Sequence, residues 1–197
     1  MRVAGFLVFT ASATAVLAGC TRDPVEQLCP DLGPGDLVVT EVRGPQTPGD
    51  GLGEWVELYN ASGATVDLRG IRIRFRRKDG SSEVPILVRR SVTVDAGGYA
   101  VLGIFDPAML PDFADYSFAT DFTESWLAAA AIDVETCGER IDVATYDALP
   151  KQGSFSFTGA MAPDPDKNDD LALWCTDPNM VGTTFPGSPQ QPNLSCP

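Results

Sequence analysis

Glu54-Trp55-Val56-Glu57-Leu58-Tyr59-Asn60 alternates without a break: Trp55, Glu57 and Tyr59 fall on one face of an extended chain, Val56 and Leu58 on the other. A helix would scatter these residues around its axis. The stretch therefore reads as a strand, ended by the turn residues Asn60-Ala61-Ser62-Gly63. Trp55 and Tyr59 carry the larger apolar area and are expected to supply the core. The same period runs outward in both directions. Upstream, Leu37-Val38-Val39-Thr40-Glu41-Val42 predicts a strand, with a Pro/Gly loop from Pro45 to Gly53 in between. Downstream, the run from Leu68 to Arg77 sets Ile71, Ile73 and Phe75 against Arg72, Arg74 and Arg76. Ser91 to Val94 and Tyr99 to Leu102 flank the turn Asp95-Ala96-Gly97-Gly98. Leu127 to Glu135 and Arg140 to Tyr146 read as a hairpin around Cys137-Gly138, and Ser154 to Phe157 and Leu171 to Trp174 are weaker runs. Short strands at this spacing, with turn residues between them, predict an all-β sandwich.

The body is similar to the lamin-tail domain, an immunoglobulin-like β-sandwich found at the end of nuclear lamins and in many bacterial secreted proteins. The residues that carry the resemblance are Val39-Thr40-Glu41-Val42, the run Gly53 to Asn60, Val66-Asp67-Leu68-Arg69-Gly70 with the Ile71 strand, Asp95 to Tyr99, and Ile141 to Tyr146. They span residues 36–147, and Trp-Val-Glu-Leu-Tyr-Asn is the specific part. Ser154, Asn168-Asp169, Trp174-Cys175, Pro186-Gly187 and Asn193 follow the order in which bacterial members continue. The resemblance thus implies that residues 148–197 form a C-terminal extension packed on the same sandwich. Ser188-Pro189-Gln190-Gln191 departs from the small residues more usual in that ending. What the resemblance implies for function is a binding or structural module; it brings no catalytic residues with it.

The N-terminus reads as an address. Arg2 gives a minimal positive start, Val3 to Val16 is apolar and uncharged, and Leu17-Ala18-Gly19-Cys20 closes it. That run is short for a membrane span and has the length of a secretory signal core. The closing residues resemble the lipobox of bacterial lipoproteins. The resemblance implies a signal peptide over 1–19, cleavage before Cys20, lipidation of Cys20, and a location in the bacterial cell envelope. Thr21, rather than Asp, resembles the class sorted to the outer membrane. Residues 20–35, rich in Pro and Gly, are expected to be a lipidated tether that sets the domain off the bilayer.

Lipidation also resolves the cysteine count. Five cysteines are an odd number for an exported chain. Taking Cys20 for lipid leaves Cys29, Cys137, Cys175 and Cys196, which predicts two disulfides among three possible connectivities. Cys29 with Cys137 and Cys175 with Cys196 is the preferred set, because the second pair closes a short C-terminal segment. No CxxC spacing suggests zinc.

Histidine is absent, which removes Ser-His and Cys-His nucleophile pairs. No cofactor motif is present, and the chain is not expected to be an enzyme. The net charge is −13, which repels phosphate backbones, so nucleic acid is not an expected partner unless a local basic patch overrides the field. Such a patch exists in the sequence. Residues 69–90 hold eight of the fourteen basic residues, opposed only by Asp79 and Glu83. Arg72, Arg74 and Arg76, continued by Arg77 and Lys78, form a candidate stripe for an anionic ligand. The heavier reading of the stripe is a solvated strand face paired with acidic neighbours, which also blocks strand-to-strand aggregation. Asp164, Asp166, Asn168 and Asp170 place oxygens at alternate positions as calcium loops do, but the loop lacks the glycine and the final bidentate glutamate, so a solvated turn is the heavier reading. Glu41, Glu54 and Glu57 are a candidate set for paired-carboxylate glycoside hydrolysis, but acidic residues are common on strand faces and nothing in the pattern implies a pocket around them. The expected role is a non-catalytic envelope lipoprotein, held to the membrane by its N-terminal lipid and contacting an unknown protein, a polysaccharide or another anionic envelope ligand. A calcium-stabilised adhesin is the alternative, and a carboxylate hydrolase a remote one.

Overall fold

A computed structural model describes residues 28–180, 182, 184 and 186–197. The expected signal peptide, Cys20 and the first part of the tether lie outside the described residues. The strands are β1 (Leu37–Arg43), β2 (Trp55–Asn60), β3 (Val66–Asp67), β4 (Arg72–Arg76), β5 (Val84–Leu87), β6 (Thr93–Val94), β7 (Tyr99–Gly103), β8 (Tyr116–Ser117), β9 (Ala130–Thr136), β10 (Glu139–Tyr146), β11 (Ser154–Phe157) and β12 (Trp174–Asp177). They build a six-stranded sheet in the order β12-β11-β1-β2-β7-β8, a four-stranded sheet in the order β10-β9-β4-β5, and a small ribbon of β3 and β6. The chain is an all-β sandwich. Its C-terminal part packs on the sandwich by continuing the larger sheet: β11 pairs with β1, and β12 pairs with β11.

The alternation read from the sequence explains the layers. Leu37, Val39, Val56, Leu58 and Leu102 of the larger sheet meet Ile73, Phe75, Ile132, Val134 and Tyr146 of the smaller one in a single buried cluster. Phe75 anchors an aromatic corner, with Phe122 and Trp126 at ring separations of 5.4 and 4.9 Å. Aromatic pairs at this spacing add to the stabilisation from area burial alone.

Several expectations need correction. Trp55 and Tyr59 do not feed the core between the sheets. Val56 and Leu58 do, and Trp55 is buried on the opposite face with Val101 and Phe105. Tyr59 packs there on Tyr99, with ring centroids 5.1 Å apart. The larger sheet is thus covered on both faces, and bulk did not tell which face is the inner one. Leu171–Leu173 is a single 3-10 turn, capped by the Asp170 side chain accepting from the Ala172 N–H; the strand starts only at Trp174. Three strands are additional: the two-residue β3 and β8, and β5, whose Pro85 sits on the sheet edge, where a missing N–H is tolerated.

A bulge between Val39 and Glu41 shifts the register of β1 against β2. β11 reaches β1 only at Glu41 and Val42, so the backbone of Val39 lies beyond that ladder. Two side chains complete it. The Val39 N–H donates to the Asp142 carboxylate at 2.7 Å, and Asn168 donates through Nδ2 to the Val39 carbonyl at 3.1 Å and to Asp142 at 2.8 Å. Asp142 belongs to β10 of the other sheet, so this knot also ties the two sheets together. Asn60 plays a similar part at the end of β2, donating to the carbonyls of Ala64 and Val94 at 2.7 and 2.9 Å.

The disulfides pair Cys29 with Cys137 and Cys175 with Cys196, with Cα separations of 5.5 and 5.6 Å. The second bridge holds the C-terminal segment against β12. It closes a loop of 21 residues, which limits the unfolded chain by about 3 kcal/mol on the loop-entropy relation. Replacing Cys175 and Cys196 together by Ser is expected to lower the unfolding free energy by about that amount in urea titration. It should also speed hydrogen exchange over residues 186–197. Unchanged stability and exchange would show that the bridge does not hold this segment.

Candidate functional site

The outer face of the larger sheet is where the acidic residues gather. Glu41 and Glu57 sit directly opposite each other on β1 and β2, both with 0% exposure. Asp177 on β12 and Ser154 and Ser156 on β11 share that face. The C-terminal segment lies across them as a strap. Its Ser188 N–H donates to Glu41 Oε1 at 3.0 Å, and its Gln190 N–H donates to Glu57 Oε2 at 2.6 Å. Asn193 Nδ2 donates to the carbonyls of Thr40 and Phe157, both at 2.9 Å. From the sheet itself, Thr40 donates to Glu57 at 2.8 Å, while Ser154 and Ser156 donate to Glu41. Gly187, at φ +83°, is required by this approach, since a Cβ there would come within 2.2 Å of Glu41 Oε1 and of Ser154 Oγ.

Burial is the main force on these carboxyls. It pushes Glu41 up to about 7 against the opposing hydrogen bonds of Ser154 and Ser188, with Asp177 adding to the rise. Burial, then the charge of Glu41, raises Glu57 well above the usual range. Asp142 is likewise raised by burial to about 7. Glu54, the third member of the imagined hydrolase set, is half-buried outside this cluster, in the loop before β2. The expected pair is thus brought together but closed off: a substrate has no route to it while the strap is in place. Sequence reading treated Glu41 and Glu57 as ordinary acidic residues on strand faces, with no pocket implied. The residues that seal them follow more than 130 positions later, and no local signal marks them.

The calcium candidates disperse. Asn168 is buried and turned into the sandwich, on Val39 and Asp142. Asp164 accepts from the N–H groups of Asp166 and Lys167, both at 3.0 Å, and Asp170 caps the 3-10 turn. Among the described residues no group of three or more His, Cys, Asp or Glu is arranged to hold a metal ion.

The arginine stripe is real as a strand face and mostly neutralised. Asp133, buried on the neighbouring β9, accepts from Arg76 through Nε and, at 3.0 Å, through Nη2. Arg74 reaches Glu135 at 2.6 Å and Glu83 at 3.3 Å, and Lys78 pairs with Asp147. Arg72 and Arg77 are exposed and, among the described residues, have no ion-pair partner within 4.0 Å. The stripe is therefore not five free cations. Arg77 stays open past one end of β4; at the other end Arg72 lines a groove of about 230 Å³ together with Arg69, Arg89, Leu28, Cys137 and Gly138. Arg69 and Arg89 were outside the expected stripe; the Arg72–Leu87 pairing of β4 and β5 brings the Arg89 end of that hairpin alongside.

The buried carboxyls give a defined pH dependence. Between the ordinary glutamate value of 4.5 and about 7, the folded protein holds protons that the unfolded chain has released. Stability then falls as pH rises through that window. Urea unfolding is expected to give a lower free energy at about pH 8 than at about pH 5, and Glu41→Gln, which keeps an acceptor oxygen and removes the charge, should weaken that slope. Stability that rises from pH 5 to 8, or an unchanged slope in the variant, would contradict the raised pKa of the buried pair. No family model matches this chain and no curated protein matches it, so the functional reading rests on the geometry and the sequence.

Proposed function

We propose that the chain is a non-catalytic lipoprotein of a bacterial cell envelope, anchored through lipid on Cys20 and displaying a lamin-tail-like sandwich as a binding or structural module. The observation that carries this reading is the cysteine arrangement. Four cysteines are consumed in two bridges, which suits an oxidising compartment. The fifth, Cys20, stands at the end of an uncharged apolar run, in the context Leu17-Ala18-Gly19-Cys20 that resembles a lipobox. Each buried methylene contributes about 0.8 kcal/mol, so two or three acyl chains hold such a protein firmly. No helix among the described residues is long and apolar enough to cross a membrane, so in this reading the lipid is the anchor.

Two features support a module without catalysis. The close carboxylate pair is sealed under the C-terminal strap, and the open groove presents arginines rather than an acid–base set. The lamin-tail reading is supported by the position of Trp55–Asn60, the most specific stretch of the resemblance, between β1 and β7 in the larger sheet.

Mass spectrometry of the protein purified from the membrane fraction is expected to give an N-terminus at Cys20 carrying diacylglyceryl and acyl groups. Cys20→Ser should abolish that mass and leave the precursor uncleaved. A chain that retains Met1, with all five thiols free, would overturn the reading.

A further inference from the structure

We propose that the groove formed by Arg69, Arg72 and Arg89 docks on the phosphate headgroups of the bilayer that holds the Cys20 lipid, so that the module lies on the membrane with this end down. The inference rests on the lipid anchor proposed above and adds the partner and the orientation. Three observations lead to it.

The first is where the chain arrives. Leu28 lines the groove, and the adjoining Cys29 is bridged to Cys137 in the β9–β10 turn. Leu28 runs so close to Gly70, which has φ +100°, that a Cβ there would lie 2.5 Å from the Leu28 carbonyl oxygen. Entry to the domain is therefore pinned at the groove. Cys20 precedes Leu28 by eight positions, and eight residues span at most about 28 Å. A lipid at Cys20 keeps the groove within that distance of its insertion point, whereas the strap end of the molecule carries no such constraint.

The second is charge. Arg69 and Arg72 are exposed, and neither has an ion-pair partner within 4.0 Å among the described residues. Arg89 is itself exposed and has one partner within 4.0 Å, the half-buried Asp121 at 3.2 Å, a single contact that solvent and salt weaken on the arginine side. Glu135, the acidic residue lining the groove, is held by Arg74 at 2.6 Å. The guanidinium fork matches phosphate oxygens in pairs, which an exposed lysine cannot do.

The third is contrast. Residues 91–197 hold sixteen acidic and three basic residues, in a chain of net charge −13. An anionic bilayer repels most of that surface and attracts this corner, which selects one orientation within a Debye length of about 8 Å. Three arginines at an anionic surface supply roughly a hundredfold bias.

Deuterium exchange on the mature lipidated protein tests this, in vesicles of phosphatidylcholine alone and of phosphatidylcholine with phosphatidylglycerol. Amides near residues 69–72, 88–90 and 137–138 are expected to exchange several-fold more slowly in the anionic vesicles. High salt should remove the difference, and so should Arg69→Ser, Arg72→Ser and Arg89→Ser combined. The wild-type comparison of the two vesicles and its salt dependence decide the matter even if the triple variant fails to fold. Equal exchange in both vesicles, with the protein floating on each, overturns the docking and leaves the anchor standing. Protein that floats on neither removes the anchor itself and the docking with it. Slowing by soluble dextran sulfate but not by phosphatidylglycerol also overturns the proposal, in favour of a polysaccharide.

Discussion

Glu41 and Glu57 face each other across the β1–β2 ladder without exposure to solvent. Like charges in directly opposed positions destabilise a strand pair, and an unpaired buried charge costs several kcal/mol more. Burial raises both carboxyls above the ordinary glutamate range, and the fold surrounds them with donors. Those donors come from Thr40 on β1, from Ser154 and Ser156 on β11, and from the backbone of Ser188 and Gln190 in the strap. Much of the C-terminal architecture follows. β11 must lie beside β1 to bring its serines to Glu41. Gly187 must lack a side chain for the strap to come close enough. The Cys175–Cys196 bridge keeps the strap from leaving.

β1 therefore serves two interiors. Its apolar residues Leu37, Val39 and Val42 enter the core between the sheets, while Glu41 points to the space under the strap. The bulge at Thr40 makes this possible, and Asp142 with Asn168 repairs the ladder that the bulge and the short β11 leave incomplete. The same arrangement divides the surface. The acidic face is covered at one side of the sandwich, and the arginine groove stays open near the Cys29–Cys137 bridge. In the reading proposed here, the first is structural and the second is where the envelope is contacted.

The period-two alternation made the sandwich legible, because Val56, Leu58, Ile73 and Phe75 reach the core in the order their spacing implies. It could not say which face of β2 is inner, since both faces of that strand are buried and Trp55 is the bulkier residue on the outer one. The short strands β3, β6 and β8 carry two residues each, too few to show a period. The arginine stripe was legible as a strand face, but its neutralisation by Asp133 and Glu135 depends on the pairing of β4 with β9, nearly sixty residues away. The groove was less legible still, because Leu28, Arg69, Arg89 and Cys137 come from four separate parts of the chain. Asn168 looked like a calcium ligand by spacing, and its burial against Val39 could not be read from neighbours that are mostly exposed acids.

The central claim is that burial beneath the strap raises both Glu41 and Glu57 above the ordinary glutamate value, Glu41 to about 7. Carbon-13 NMR of the glutamate side-chain carboxyls, titrated across the neutral range and assigned with Glu41→Gln and Glu57→Gln, tests it most directly. The account requires the Glu41 signal to titrate near 7 and the Glu57 signal well above the ordinary value of 4.5. Both signals titrating near 4.5, as in an exposed glutamate, would contradict it.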